Sequence, residues 1–211
     1  MNSLPDDLIT FLRESFVISD DPITTLTKPT RKLEYLPASF GSLSSLTTLD
    51  LDNNYLTTLP ESFGSLSSLV TLNLNINHLT ALPESFGSLS SLVTLELADN
   101  SLTTLPASFG SLSSLTTLRL NNNRLTTLPP SFRSLTSLVT LRLNNNPFAT
   151  RHFNNILLTR FPPSVQSINI NLNNLVIPEF RSFLILWYLG KMRKSLSSWN
   201  PGSSVAKGTL E

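Results

Sequence analysis

The sequence predicts an α/β repeat: a solenoid with a curved parallel β-sheet on its concave face and helical caps at both ends. Three observations predict it. One 23-residue unit is written almost verbatim five times, starting at Leu36, Leu59, Leu82, Leu105 and Leu128; a fixed period in this range signals units that bury their apolar faces only against neighbouring copies. Within the unit, leucines fall at fixed offsets, Leu46, Leu49, Leu51 and Leu56, with Asn54 before the last, and the spacing recurs through Leu138, Leu141, Leu143 and Asn146. Around Leu49, Asp50 and Leu51 the pattern alternates, which is the period-2 signature of a short strand with one buried face.

The elements follow in chain order. Residues 1–22 are expected to form an N-terminal helical cap, with Ser3 and Asp6 capping a helix that carries Leu8, Leu12 and Phe16 on one face. Residues 23–178 form the array. A degenerate unit at 23–35 has Lys28 at a leucine position and Arg31 at the asparagine position, and five regular units occupy 36–150. A second degenerate unit spans 151–178, where Val165, Ile168, Ile170, Asn173 and Leu175 restore the spacing. Val165 lies 27 residues after Leu138 rather than 23, and the insertion carries Phe153, Ile156, Leu157 and Phe161 at helical spacing. Residues 179–194 are expected to be a C-terminal capping helix, because a terminal unit must cover its exposed leucines. Residues 195–211 read as a flexible tail.

Two repeated residues have predictable work. The asparagine sits where the strand turns away, so its amide is expected to satisfy unpaired backbone groups. Phe40, Phe63, Phe86, Phe109 and Phe132 recur on the returning segment and are expected to stack into an aromatic spine.

These residues match L-x-x-L-x-L-x-x-N-x-L, and over residues 23–178 the chain resembles the leucine-rich repeat proteins. The Leu-Pro that follows makes it similar to the 23-residue class of Ras-pathway scaffolds and of plant and bacterial cytosolic proteins. It also resembles short leucine-rich-repeat effectors of intracellular bacteria. The resemblance implies a leucine-rich-repeat solenoid whose non-leucine strand residues face outward, and a noncatalytic module that binds another protein. An effector that blocks or regulates another enzyme, or binds a fellow effector, is the sharper form of that expectation.

Composition excludes several chemistries. The chain has no cysteine, so disulfide scaffolds, thiolate metal sites and cysteine nucleophiles are absent. Charged residues make up 14% and the formal charge is +1, which argues against broad nucleic-acid binding. Residues 1–7 show no secretory signal, and the longest apolar run, 183–189, falls far short of the roughly 20 residues that span a bilayer. A cytoplasmic location is expected, with translocation into a host cell added by the effector resemblance.

Catalysis finds no constellation. His78 and His152 are the two histidines and lie in different contexts, so no metal site or other cofactor is expected. Asp50 and Asp52 share one environment, whereas carboxylate catalysis needs two that differ. Gly41, Gly64, Gly87 and Gly110 are repeat turns rather than a phosphate loop. Ubiquitin ligases with similar repeats need a catalytic cysteine that this chain lacks. No enzyme activity and no small-molecule substrate are expected.

Binding residues are therefore sought on the face. The central outward column reads Thr27, Asp50, Asn73, Glu96, Arg119, Arg142 and Asn169, beside Pro29, Asp52, Asn75, Ala98, Asn121, Asn144 and Asn171. The candidates are Asp50, Asp52, Asn73, Glu96, Arg119, Asn121, Arg142 and Asn144. Acidic residues precede basic ones along the array, and Arg119 beside Arg142 places like charges on adjacent strands. Seven strands about 4.8 Å apart give a face roughly 29 Å long and near 460 Å² in area, against about 800 Å² per partner in a standard interface. A rim must contribute, and Tyr55, His78 and Arg124, each following a repeat asparagine, supply it.

Two alternatives remain open. Leu4-Pro5-Asp6-Asp7-Leu8-Ile9 resembles the opening of an F-box, which would make the chain a substrate adaptor for ubiquitin machinery. The 180–189 segment followed by Lys191, Arg193 and Lys194 could lie on an acidic membrane. In both cases capping of the array accounts for the residues more simply.

Overall fold

The computed structural model describes residues 4–16, 22–27, 32–148, 162 and 164–169, all within the first of two compact units, Met1–Leu172. The expected helix around Phe153 to Phe161, the residues Ile170, Asn173 and Leu175, the cap at 179–194 and the tail at 195–211 lie outside the described residues, as do Ser3, Lys28 and Arg31.

Seven strands form one sheet in sequential order: β1 (Thr25–Leu26), β2 (Thr48–Asp50), β3 (Thr71–Asn73), β4 (Thr94–Glu96), β5 (Thr117–Arg119), β6 (Thr140–Arg142) and β7 (Ser167–Asn169). Every pair is parallel, and Leu49, Leu72, Leu95, Leu118 and Leu141 lie in register. Each strand from β2 to β5 buries its central leucine between two half-buried polar residues, as the alternation predicts.

Parallel strands need a crossover, and here it is short. Each regular unit returns through a five-residue 3-10 turn: Ala38–Ser42, Glu61–Ser65, Glu84–Ser88, Ala107–Ser111 and Pro130–Ser134. A proline precedes each turn in extended backbone, for example Pro60 at φ −67° and ψ 151°. The ring fixes φ and thereby sets where the turn begins. The turn then closes by bonds such as Phe63 N–H to Pro60 C=O, 2.9 Å.

The five phenylalanines stack as expected. Consecutive ring centroids from Phe40 to Phe132 are 6.1–6.2 Å apart and the ring planes are within 7° of parallel. Strands pack about 4.8 Å apart, so the same repeat is longer on the phenylalanine side than on the strand side. This difference bends the ladder with the strands inward.

Asparagine completes the scaffold. Asn77 Oδ1 accepts from Leu56 N–H at 3.0 Å, while its Nδ2 donates to Leu51 O at 2.9 Å and Leu74 O at 3.2 Å. Asn100 and Asn123 repeat the arrangement. Backbone groups left open as each strand ends are thus paired across unit boundaries, where an unpaired buried group would cost about 1–3 kcal/mol.

At the first end, α1 (Asp6–Ser15) buries Leu8, Phe11 and Leu12. Phe11 meets Phe40 edge-on, centroids 6.2 Å apart at 84°, and so terminates the spine. The residue before the helix is Pro5, with no side-chain cap bond of its own, and Asp6 and Asp7 in the first turn offset the helix dipole. One detail corrects the sequence expectation. Phe16 lies past the helix in extended backbone, at φ −134° and ψ 155°, yet is still buried against Phe11.

Candidate functional site

Strand register builds the face from parallel columns. Thr25, Thr48, Thr71, Thr94, Thr117 and Thr140 form an unvaried polar row. Two residues on, Asp50, Asn73, Glu96, Arg119 and Arg142 form the predicted central column, each aligned with the next. The first four are half-buried and Arg142 is exposed. In the adjacent column Asp52 is exposed, Asn75, Asn121 and Asn144 are half-buried, and Ala98 is buried.

Glu96 is the hub of the central column. Arg119 Nη1 lies 3.2 Å from its Oε2, and Asn75 Nδ2 donates to the same oxygen at 3.4 Å. Asn75 is itself oriented, because its Oδ1 accepts from Ala98 N–H at 2.7 Å. The ion pair is single-pronged, and Arg119 Nε is buried without an acceptor among the described residues. With 41% of the Arg119 side chain exposed, solvent screens the pair to about 1 kcal/mol or less. Glu96 meets one of the two neighbouring arginines; Arg142, across from Arg119, has no carboxylate partner among the described residues.

Charge also accumulates at the other end. Loss of hydration raises the Asp52 pKa above the ordinary carboxylate range, and the nearby Asp50 charge raises it further, against the lowering effect of Lys32. Asp52 is exposed, so the hydration effect is mild. Asp50 Oδ1 also accepts from Asp52 N–H at 3.1 Å, which fixes the Asp50 carboxylate at the strand end.

The rim lies beyond the asparagine ladder. Tyr55 and His78 stack with centroids 5.8 Å apart at 4°, and Lys32 Nζ stands 6.0 Å from the Tyr55 ring. Arg124 is exposed on the same side. The structure therefore gathers Asp50, Asp52, Tyr55 and His78 towards one end and Arg119, Arg124 and Arg142 towards the other.

Sequence reasoning passed over Lys32, which stands one period before Tyr55, and Ile76. Ile76 is 51% exposed and adopts φ 52° in a column otherwise filled by Asn53, Asp99, Asn122 and Asn145. Asparagine and aspartate tolerate that backbone region and a β-branched residue does not. The mismatch was visible in the aligned repeats.

Among the described residues no group of three or more histidines or carboxylates could hold a metal ion. Nor is any helix there long and apolar enough to cross a membrane.

A stacked parallel ladder of this kind, with its leucines inside and an asparagine after each strand from β2 to β6, defines a leucine-rich repeat. The chain belongs to that family, whose pattern matches residues 34–79, 68–125 and 106–148. A plant peptide hormone receptor, RGFR1 in complex with RGF2, is similar at TM-score 0.53 and 28% identity, covering 69% of this chain and 27% of the receptor. The TLR13–ssRNA13 complex is similar at TM-score 0.57 and 26% identity, covering 74% and 22%. A leucine-rich repeat protein of Leptospira interrogans aligns at TM-score 0.46 and 28% identity, covering 70% and 44%. The chain spans less than half the length of each of these three. No curated protein matches it. As a family, leucine-rich repeats are binding scaffolds.

Proposed function

We propose that this chain is a noncatalytic module that grips a folded partner protein through the concave face and the asparagine-side rim. One observation carries the reading. Thr25 to Thr140 and the buried leucines are constant from unit to unit, while the column between them runs Asp50, Asn73, Glu96, Arg119, Arg142. Variation of charge along an outward column of a constant scaffold is what recognition by charge pattern requires. Support for a macromolecular ligand also comes from the plant receptor and TLR13 structures, whose ligands are a peptide hormone and a single-stranded RNA respectively. With a formal charge of +1 and acidic residues along half the face, a protein suits this chain better than a nucleic acid.

The sharper form is an effector that blocks or regulates another enzyme, cytoplasmic or delivered into a host cell; its support is the resemblance to short bacterial repeat proteins. The ubiquitin-adaptor reading is weaker, because α1 spends Leu8, Phe11 and Leu12 on covering the array. Affinity capture with the native chain and with an Arg119→Glu, Arg142→Glu variant tests the proposal. The variant should lose the partner by at least tenfold with an unchanged melting curve. Equal capture by the two would move the site off the concave face.

A further inference from the structure

The residues that follow the ladder asparagines are held in register by their own backbone. Tyr55 N–H donates to Leu33 O, His78 to Leu56, Ser101 to Leu79 and Arg124 to Leu102, all at 2.8–2.9 Å. The side chains on this frame begin a stack: Lys32 over Tyr55, and Tyr55 flat on His78. The stack stops at Ser101, which carries no ring, and the column resumes one unit later with the Arg124 guanidinium. At the rim spacing of 5.8 Å per unit seen between Tyr55 and His78, His78 and Arg124 stand about two spacings apart across a serine floor.

We propose that this gap takes an aromatic side chain of the partner protein, which completes the stack between His78 and Arg124. The proposal rests on the protein-binding reading above and names the chemistry of one contact within it. A ring at the Ser101 position would lie one spacing from each neighbour, with imidazole on one face and guanidinium on the other. A carboxylate would satisfy Arg124 but leave the imidazole face open. An aliphatic chain would cover the imidazole but forgo the attraction of a cation for a ring face. Ile76, two residues before His78, is 51% exposed. Asp99 is engaged by Asn122 Nδ2 at 2.7 Å, so its carboxylate is already drawn towards the next unit. Aromatic side chains are frequent energetic anchors at interfaces.

The test is a titration of the full chain with N-acetyl-L-tryptophanamide, followed through the His78 ring resonances. A saturable upfield shift is expected, with no comparable shift from N-acetyl-L-leucinamide. Ser101→Tyr fills the gap from within and should abolish the response without lowering the melting temperature, whereas Ser101→Ala should retain it. Arg124→Ala should weaken it at least threefold. Absence of a saturable shift, an equal response to the leucine probe, or an undiminished response in Ser101→Tyr would overturn the proposal. Arg119→Glu, Arg142→Glu should leave the probe response unchanged, so failure here and failure of the concave-face reading are separate results.

Discussion

Gly64 lies so close to Ser85 that a β-carbon on the glycine would stand 2.2 Å from the Ser85 carbonyl oxygen. The obstructing atom is backbone, so no side-chain rotation relieves it and the stacked turns must part. Gly64→Ala should therefore cost about 1–3 kcal/mol or more, in the range of core overpacking, read as a lower urea midpoint. Arg133 occupies the equivalent position in the last regular turn and is exposed. Arg133→Ala should change stability by less than about 0.5 kcal/mol.

Asn77 accepts from one N–H and donates to three carbonyls, Leu51, Leu74 and Asn75, across two strand ends. Asn77→Ala should cost about 1–3 kcal/mol by stranding those groups. Asn77→Asp should cost more at neutral pH, since it aims a buried carboxylate at carbonyl oxygens. Denaturant unfolding of the two variants tests the order; an aspartate variant as stable as the alanine variant would contradict it.

Ile76 holds a left-handed backbone conformation at φ 52° while half its surface faces solvent. That conformation costs an ordinary residue about 1–2 kcal/mol, and exposure means little packing offsets it. Ile76→Asn should raise stability by about 1 kcal/mol, and Asn122→Ile should lower it similarly. If Ile76→Asn stabilises the chain but weakens partner capture, the strain is retained for binding.

Asp52 titrates above the ordinary carboxylate range through reduced hydration and the Asp50 charge. The folded chain thus holds this proton more tightly than the unfolded chain, whose aspartate pKa is about 3.9. Stability falls as pH rises through the window between the two values, and the penalty is complete above it. Asp52→Asn should stabilise the fold slightly at pH 7, less so in high salt, and the gain should vanish at pH 3. Melting curves at both pH values check the sign.

The sequence by itself determined the ladder, because each unit's structure depends on residues within itself and one copy away. Leu49, Asn77 and Phe86 occupy the same environment in every copy, so the period exposes the strand, the asparagine bonds and the phenylalanine spine together. It also placed Asp50, Glu96, Arg119 and Arg142 in one outward column. Their binding role remains a proposal, as do the limits of the caps. Tertiary structure alone decided which way irregular side chains turn. Arg119 could face Glu96 or stand clear of Arg142, and only packing shows Glu96 shared by Arg119 and Asn75. Lys32 over Tyr55, and the start of α1 at Asp6, were likewise undetermined by spacing. Repetition amplifies a local rule until it can be read from the letters; a contact made once, between rotamers of comparable energy, has no second copy to announce it.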